Sequence, residues 1–196
     1  QIGVAFMLSL LIGPIISSRV GLSGLFWVIA ILSLIAMLIV LSLKQTKSIT
    51  YYKLSIEAFK ENFTKELLAL DFSIFSLHLI LAAGFIVMPL LIMENQIVSM
   101  LDNWQLYLPA VLLSFLGMIP LIIISEKFKK TKYILLISIL LLISSQIIFF
   151  SLNLNFKVFL ITLTIFFVAF NTVEALLPSL LSRTASSSKR GLAMGI

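Results

Sequence analysis

The sequence predicts an all-α integral membrane protein that crosses the bilayer several times, and three observations carry that prediction. Of its 196 residues, 61% are hydrophobic and only 11% are charged, where a soluble domain is about 25% charged. The apolar residues gather into runs close to the ~20 residues that a helix needs to cross the hydrocarbon. None of the runs alternates polar with apolar as a barrel strand does, so the spans are helices. A soluble globule, a disordered chain and a disulfide scaffold are all excluded by this composition. The chain has no Cys, which also removes thiol catalysis and zinc ribbons.

In chain order, the apolar runs fall at residues 2–16, 22–43, 72–93, 104–125, 132–151 and 156–181, and a seventh begins at Gly191. The first run is short. It carries Ala5, Ser9, Gly13 and Ser17, a small residue at every fourth position, and such a stripe lets a second helix approach closely. Pro14 predicts a bend within it. The chain opens on Gln1 and ends six residues into its seventh run, so it reads as an internal piece of a longer protein.

Residues 50–70 have a different pattern. Tyr52, Ile56, Phe59, Phe63, Leu67 and Leu70 recur at steps of four, three, four, four and three, which is one face of a helix. Lys53, Glu57, Lys60, Glu61, Thr64 and Lys65 lie on the other face, and Glu61–Lys65 is a favourable i,i+4 pair. The pattern predicts an amphipathic helix that lies along the membrane surface or caps the bundle, with a soluble linker helix between two bundles as the alternative.

If that helix is cytoplasmic, alternate loops are too. The cytoplasmic side then holds Lys44, Lys47, Lys53, Lys60, Lys65, Lys127, Lys129, Lys130, Lys132, Arg183, Lys189 and Arg190, against Arg19 and Lys157 on the other. Twelve against two is a strong positive-inside bias. Orientation accounts for the net charge of +6, and nucleic acid is not an expected partner. The partner this composition demands is the lipid bilayer.

Polar groups inside spans are costly and mark functional sites. Glu174 lies about two turns from the inner end of the sixth run. Thr164, Phe167, Asn171, Glu174 and Pro178 follow at steps of three, four, three and four and share one face. Such a face can line a cavity in which a carboxyl binds and releases a proton. The alternative is a structural Glu hydrogen-bonded to a neighbouring helix. His78, the single His, shares a face of the third run with Asp71, Phe75, Ala82, Phe85 and Pro89. Imidazole exchanges protons near neutrality, but a packed core His fits the same position. One His with no Cys and no carboxylate cluster is not a metal site. Gln146, beside Ser145, is a polar break in the fifth run, placed either as interhelical glue or on a cavity. The inner loops carry Glu126, Lys127, Lys129 and Lys130, and Arg183, Lys189 and Arg190. They anchor the orientation, and they can pair with helix carbonyls or acids to latch an inner gate.

Gly21-Leu22-Ser23-Gly24 has the Gly-x-Ser-Gly form of an intramembrane serine protease, with His78 as a possible base. The four letters sit at the mouth of a span, where Gly and Ser are ordinary, so the chain is not expected to be an enzyme.

Several stretches together resemble the major facilitator superfamily, in its drug:proton antiporter branch. Gly13-Pro14 is similar to the Gly-Pro of the antiporter motif in the fifth helix, although Ser9, Ser17 and Ser18 stand where that motif has other residues. Residues 21–27 resemble the turn from the fifth to the sixth helix. Residues 125–132 resemble a degenerate second copy of the family's basic loop motif. Phe170-Asn171-Thr172-Val173-Glu174-Ala175-Leu176-Leu177-Pro178-Ser179-Leu180 is similar to the tenth helix of the YajR-like inner-membrane transporters. The resemblance implies helices five to ten, and the start of eleven, of a twelve-helix fold. On that reading residues 1–43 are the last two helices of the amino-terminal bundle. Residues 44–71 are a cytoplasmic linker, and 72–196 an incomplete carboxy-terminal bundle. It further implies a multi-pass protein of the inner membrane that exports a small molecule by alternating access, driven by protons and without a cofactor. A uniporter or importer of the same fold, or a scaffold without transport, are the other readings.

Overall fold

The computed structural model describes residues 2–43, 64–99, 103–151 and 153–185. Among these, every regular element is an α-helix: α1 (Ile2–Ser42), α2 (Lys65–Glu94), α3 (Trp104–Lys127), α4 (Thr131–Ser151) and α5 (Phe156–Thr184). Five stretches are long and apolar enough to cross a membrane, namely Ser23–Ser42 within α1 and most or all of each other helix. The chain divides into two compact units, Gln1–Leu54 and Ser55–Ile196.

In the first unit, the two expected spans form one helix interrupted at a single residue. Gly21 has φ 68° and ψ −179°, a region open in practice only to glycine. The break in helical backbone inside α1 therefore falls at Gly21, whereas the sequence drew attention to Pro14. Gly24 is needed for a different reason: a Cβ there would collide with the Val20 side chain. Both glycines of Gly21-Leu22-Ser23-Gly24 thus have a backbone explanation.

In the second unit, α2 starts earlier than the sequence suggested, at Lys65 rather than Phe72. The Thr64 hydroxyl caps it by accepting from the Leu67 amide at 3.3 Å, and Glu66 favours the positive end of the helix dipole. Leu67 is held in a small cluster with Leu181 and Ala185, flanked by Leu70 and Ile74. Residues 65–70, expected to close a separate surface helix, are therefore the first turns of a span, fastened to the end of α5. Residues 50–63 of that expected helix, and the stub from Gly191, lie outside the described residues.

Helices α2 and α3 close in the same way. Gln96 (φ 51°) and Lys129 (φ 54°) adopt the left-handed conformation. Ile97 then donates back to the Ile92 carbonyl at 3.0 Å, and Lys130 to Ser125 at 3.1 Å. These are Schellman closures, which satisfy carbonyls that the helix end would otherwise leave free. Asn155 caps α5, its side-chain oxygen accepting from the Val158 amide at 3.0 Å.

Helix α5 is the centre of the second unit, packed against α2, α3 and α4. Phe159, Leu163, Phe166, Ala169 and Leu176 are at most 2% exposed. The surfaces it meets include small residues, which in lipid allow close backbone approach. Helix α3 offers Ala110 and Ser114, both fully buried, and α4 offers Ser138 and Ser145, also fully buried. At Gly117 the approach is closest: a Cβ there would lie 2.7 Å from Val168 on α5.

Candidate functional site

The polar face expected on α5 is divided among its neighbours. Phe167 is core, 3% exposed, with its ring edge-on to Phe166 at 5.3 Å. Thr164 turns its hydroxyl back on its own helix, donating to the Leu160 carbonyl at 2.7 Å. Asn171 reaches α3, where its side-chain amide donates to the Ser114 hydroxyl at 2.9 Å. Ser114 passes its own proton to the Val111 carbonyl at 2.7 Å. Glu174 and Pro178 are partly buried.

The His78 ring stands edge-on to Phe170, with centroids 6.3 Å apart, and Phe170 lies one turn before Glu174 on α5. The His78 Nδ1 is 2.9 Å from the Ile74 carbonyl oxygen. A carbonyl only accepts, so Nδ1 is the donor in that contact. His78 is exposed on α2 among the described residues. The His78–Phe170 contact thus brings α2 to within one turn of Glu174 on α5, and the Asn171–Ser114 bond lies one turn from Glu174 on the α3 side. Among the described residues no group of His and acids is arranged to hold a metal ion.

Gln146 stands apart from these contacts. It is exposed on α4, whose packed face is formed by Ile134, Ser138, Leu142, Ser145 and Phe149. It makes no hydrogen bond to another helix among the described residues. In the first unit, a Cβ built on Gly13 meets no atom within 4 Å, and Ser17 is partly buried. Ser9 and Pro14 share that helix, so no close partner for Gly13 comes from the stripe's own unit.

At the C-terminal ends of α3 and α5, Arg183 pairs with Glu126 through one guanidinium nitrogen, at 2.8 and 3.0 Å from the two carboxylate oxygens. The two side chains are 58% and 48% exposed, so solvent screens the pair. The Lys127 ammonium lies 5.8 Å from the Phe128 ring centre, and Lys129 occupies the left-handed turn position. Lys189 and Arg190 lie outside the described residues.

Ser114 and Gly117 were not singled out by the sequence reading, although the signal was present. Ala110, Ser114 and Gly117 are spaced four and three apart, the same small-residue stripe noted in the first run. What hid it was the neighbouring Pro109, Phe115 and Pro120, which draw attention to bends and bulk.

Comparison with known proteins gives a consistent answer. The Major Facilitator Superfamily model matches residues 1–196. The chain is 31% identical over 199 residues to the Inner membrane transport protein YajR of Escherichia coli strain K12, covering 99% of this chain and 44% of that protein. It is 36% identical over 218 residues to the Uncharacterized transporter BU466 of Buchnera aphidicola subsp. Acyrthosiphon pisum, covering 100% of this chain and 52% of that protein. The chain therefore spans about half the length of the curated relatives it matches.

Proposed function

The chain belongs to the Major Facilitator Superfamily, and on that basis we propose that the full-length protein is a multi-pass secondary transporter of the inner membrane. It exports a small molecule by alternating access, and protons moving inward drive the export. The relatives' names, an inner membrane transport protein and a transporter, support the location and the general activity. The twelve-to-two distribution of basic residues supports a cytoplasmic position for the α3–α4 turn and for the end of α5. Residues 1–43 supply the last two helices of one bundle, 44–71 the linker, and 72–196 most of the other bundle. The division of the structure into Gln1–Leu54 and Ser55–Ile196 is compatible with that arrangement.

The observation that carries the coupling proposal is the contact of the His78 ring on α2 with Phe170 on α5, one turn from Glu174. A carboxyl inside a span is tolerated when it is neutral, paired or hydrated. Rocking one bundle against the other changes which of these conditions holds, so it also changes whether the carboxyl keeps its proton. Asn171, anchored to Ser114, holds the adjoining turn of α5 against α3 and leaves Glu174 on the α2 side.

The test is Glu174→Gln in the full-length protein, which retains shape and hydrogen bonding while removing the charge. It should insert and fold normally, lose uphill transport driven by an imposed pH gradient in vesicles, and retain downhill substrate exchange. Unchanged uphill transport would make Glu174 structural and place coupling at His78 or in the other half of the protein.

A further inference from the structure

The cytoplasmic turn between α3 and α4 carries more positive charge than orientation requires, on an ordered frame. Residues 126–132 read Glu-Lys-Phe-Lys-Lys-Thr-Lys. The single acid is committed elsewhere, because Glu126 faces Arg183 of α5 at 2.8 Å. Among the described residues, Lys127, Lys129, Lys130 and Lys132 have no acidic partner, and all four are exposed. The turn that carries them is closed by backbone bonds, Lys129 to Glu126 at 3.4 Å and Lys130 to Ser125 at 3.1 Å. It is further tied by the buried Ser125 hydroxyl, which donates to Thr131 at 3.0 Å.

Directly below the charges the surface is apolar. Ile123 and Ile124 on α3, and Leu136 and Ile137 on α4, are 37–53% exposed. Phe128 and Tyr133 flank the turn, 58% and 65% exposed, as aromatic residues do at the level of lipid headgroups. Four exposed ammonium groups next to exposed apolar residues on both helices match a molecule with an anionic head and hydrocarbon tails. We propose that this turn is a binding site for an anionic phospholipid of the cytoplasmic leaflet, with Lys127, Lys129, Lys130 and Lys132 holding its phosphate. The proposal does not depend on the transport reading. It differs from simple positive-inside anchoring in requiring headgroup selectivity from the folded protein.

The experiment titrates phosphatidylglycerol into the purified full-length protein in a neutral detergent and follows the thermal unfolding midpoint. Phosphatidylcholine and inorganic phosphate are titrated in parallel. Phosphatidylglycerol should raise the midpoint saturably, and the other two should not. Each lysine removed should weaken the apparent affinity about five-fold. Because changing all four lysines could disturb membrane insertion, the first variant is Lys129→Gln with Lys130→Gln, which retains two basic residues for orientation. It should lose about 25-fold in affinity, while Lys157→Gln, on the opposite side, loses none. Equal stabilisation by phosphatidylcholine, or by inorganic phosphate, would overturn the assignment. So would unchanged phosphatidylglycerol affinity in the double variant.

Discussion

Helices α4 and α5 are consecutive spans of one unit, equally recognisable from their apolar runs, and they occupy opposite situations. Helix α4 has two faces. Ile134, Leu142 and Phe149 are buried against α5, while Leu140, Ile147 and Phe150 on the far side are exposed, Phe150 by 91%. Two of its hydroxyls turn back on their own helix, Ser144 donating to the Leu140 carbonyl and Ser145 to the Leu142 carbonyl. Helix α5 is enclosed by three neighbours, and its long polar side chains leave it: Asn171 for Ser114, Arg183 for Glu126. Hydrophobic excess therefore states only that a segment belongs in lipid. The lipid tails are as apolar as the side chains, so position within the bundle is decided by small residues and by polar groups that find partners.

The largest expected effect comes from comparing two phenylalanines. Phe159 on α5 is 0% exposed and lies 5.1 Å from the ring of Phe149. Phe159→Ala should cost about 3–5 kcal/mol, and Phe150→Ala less than about 0.5 kcal/mol, measured by denaturant titration of the full-length protein. Similar losses at both sites would break the contrast between an enclosed and a lipid-facing helix.

Glycines give the next contrast. Gly117→Ala drives a methyl against Val168 and should cost about 1–3 kcal/mol. At Gly84 the nearest atom to a new Cβ is the flexible end of Met88, 3.3 Å away. Gly84→Ala should be neutral, or stabilising by up to about 1 kcal/mol from helix propensity. Thermal unfolding of both variants under one condition decides it, and a stable Gly117→Ala would refute close packing of α3 on α5.

Asn171→Ala removes one interhelical hydrogen bond, for which about 0.6 kcal/mol is typical and about 1.7 the upper range within membranes. Ser144→Ala, whose hydroxyl only serves its own helix, should change nothing. A double-mutant cycle with Ser114→Ala isolates the pair, and zero coupling energy would show that the contact contributes nothing.

The smallest effect is expected at Glu126. Its pair with Arg183 is exposed, so Glu126→Gln should cost at most about 1 kcal/mol, shrinking further with added salt. A loss that is large and insensitive to salt would mean that the pair is shielded in the complete protein and acts as a true clasp.

Much of the fold was legible from single residues. The starts of the fourth and sixth apolar runs, at Trp104 and Phe156, coincide with the starts of α3 and α5. The cap at Asn155 was not noted, and neither was the start of α2 at Lys65. That helix begins where it does because Leu67 finds Leu181 and Ala185, more than 110 residues away in sequence. The face of α5 was read as one polar stripe from its three–four spacing. The spacing was sound, but three neighbouring helices share that face, so Phe167, Asn171 and Glu174 have different surroundings.

By itself, the sequence determined that the chain is helical and lives in lipid, and roughly where most of its apolar spans lie. These properties follow from local composition and period, because a backbone in hydrocarbon must satisfy its own hydrogen bonds. Only the tertiary structure decided that α5 is central, that Ser114 and Gly117 receive it, and that His78 meets Phe170 one turn from Glu174. Those outcomes depend on which helix faces are brought together, and in a chain apolar on nearly every face, hydropathy does not distinguish one face from another.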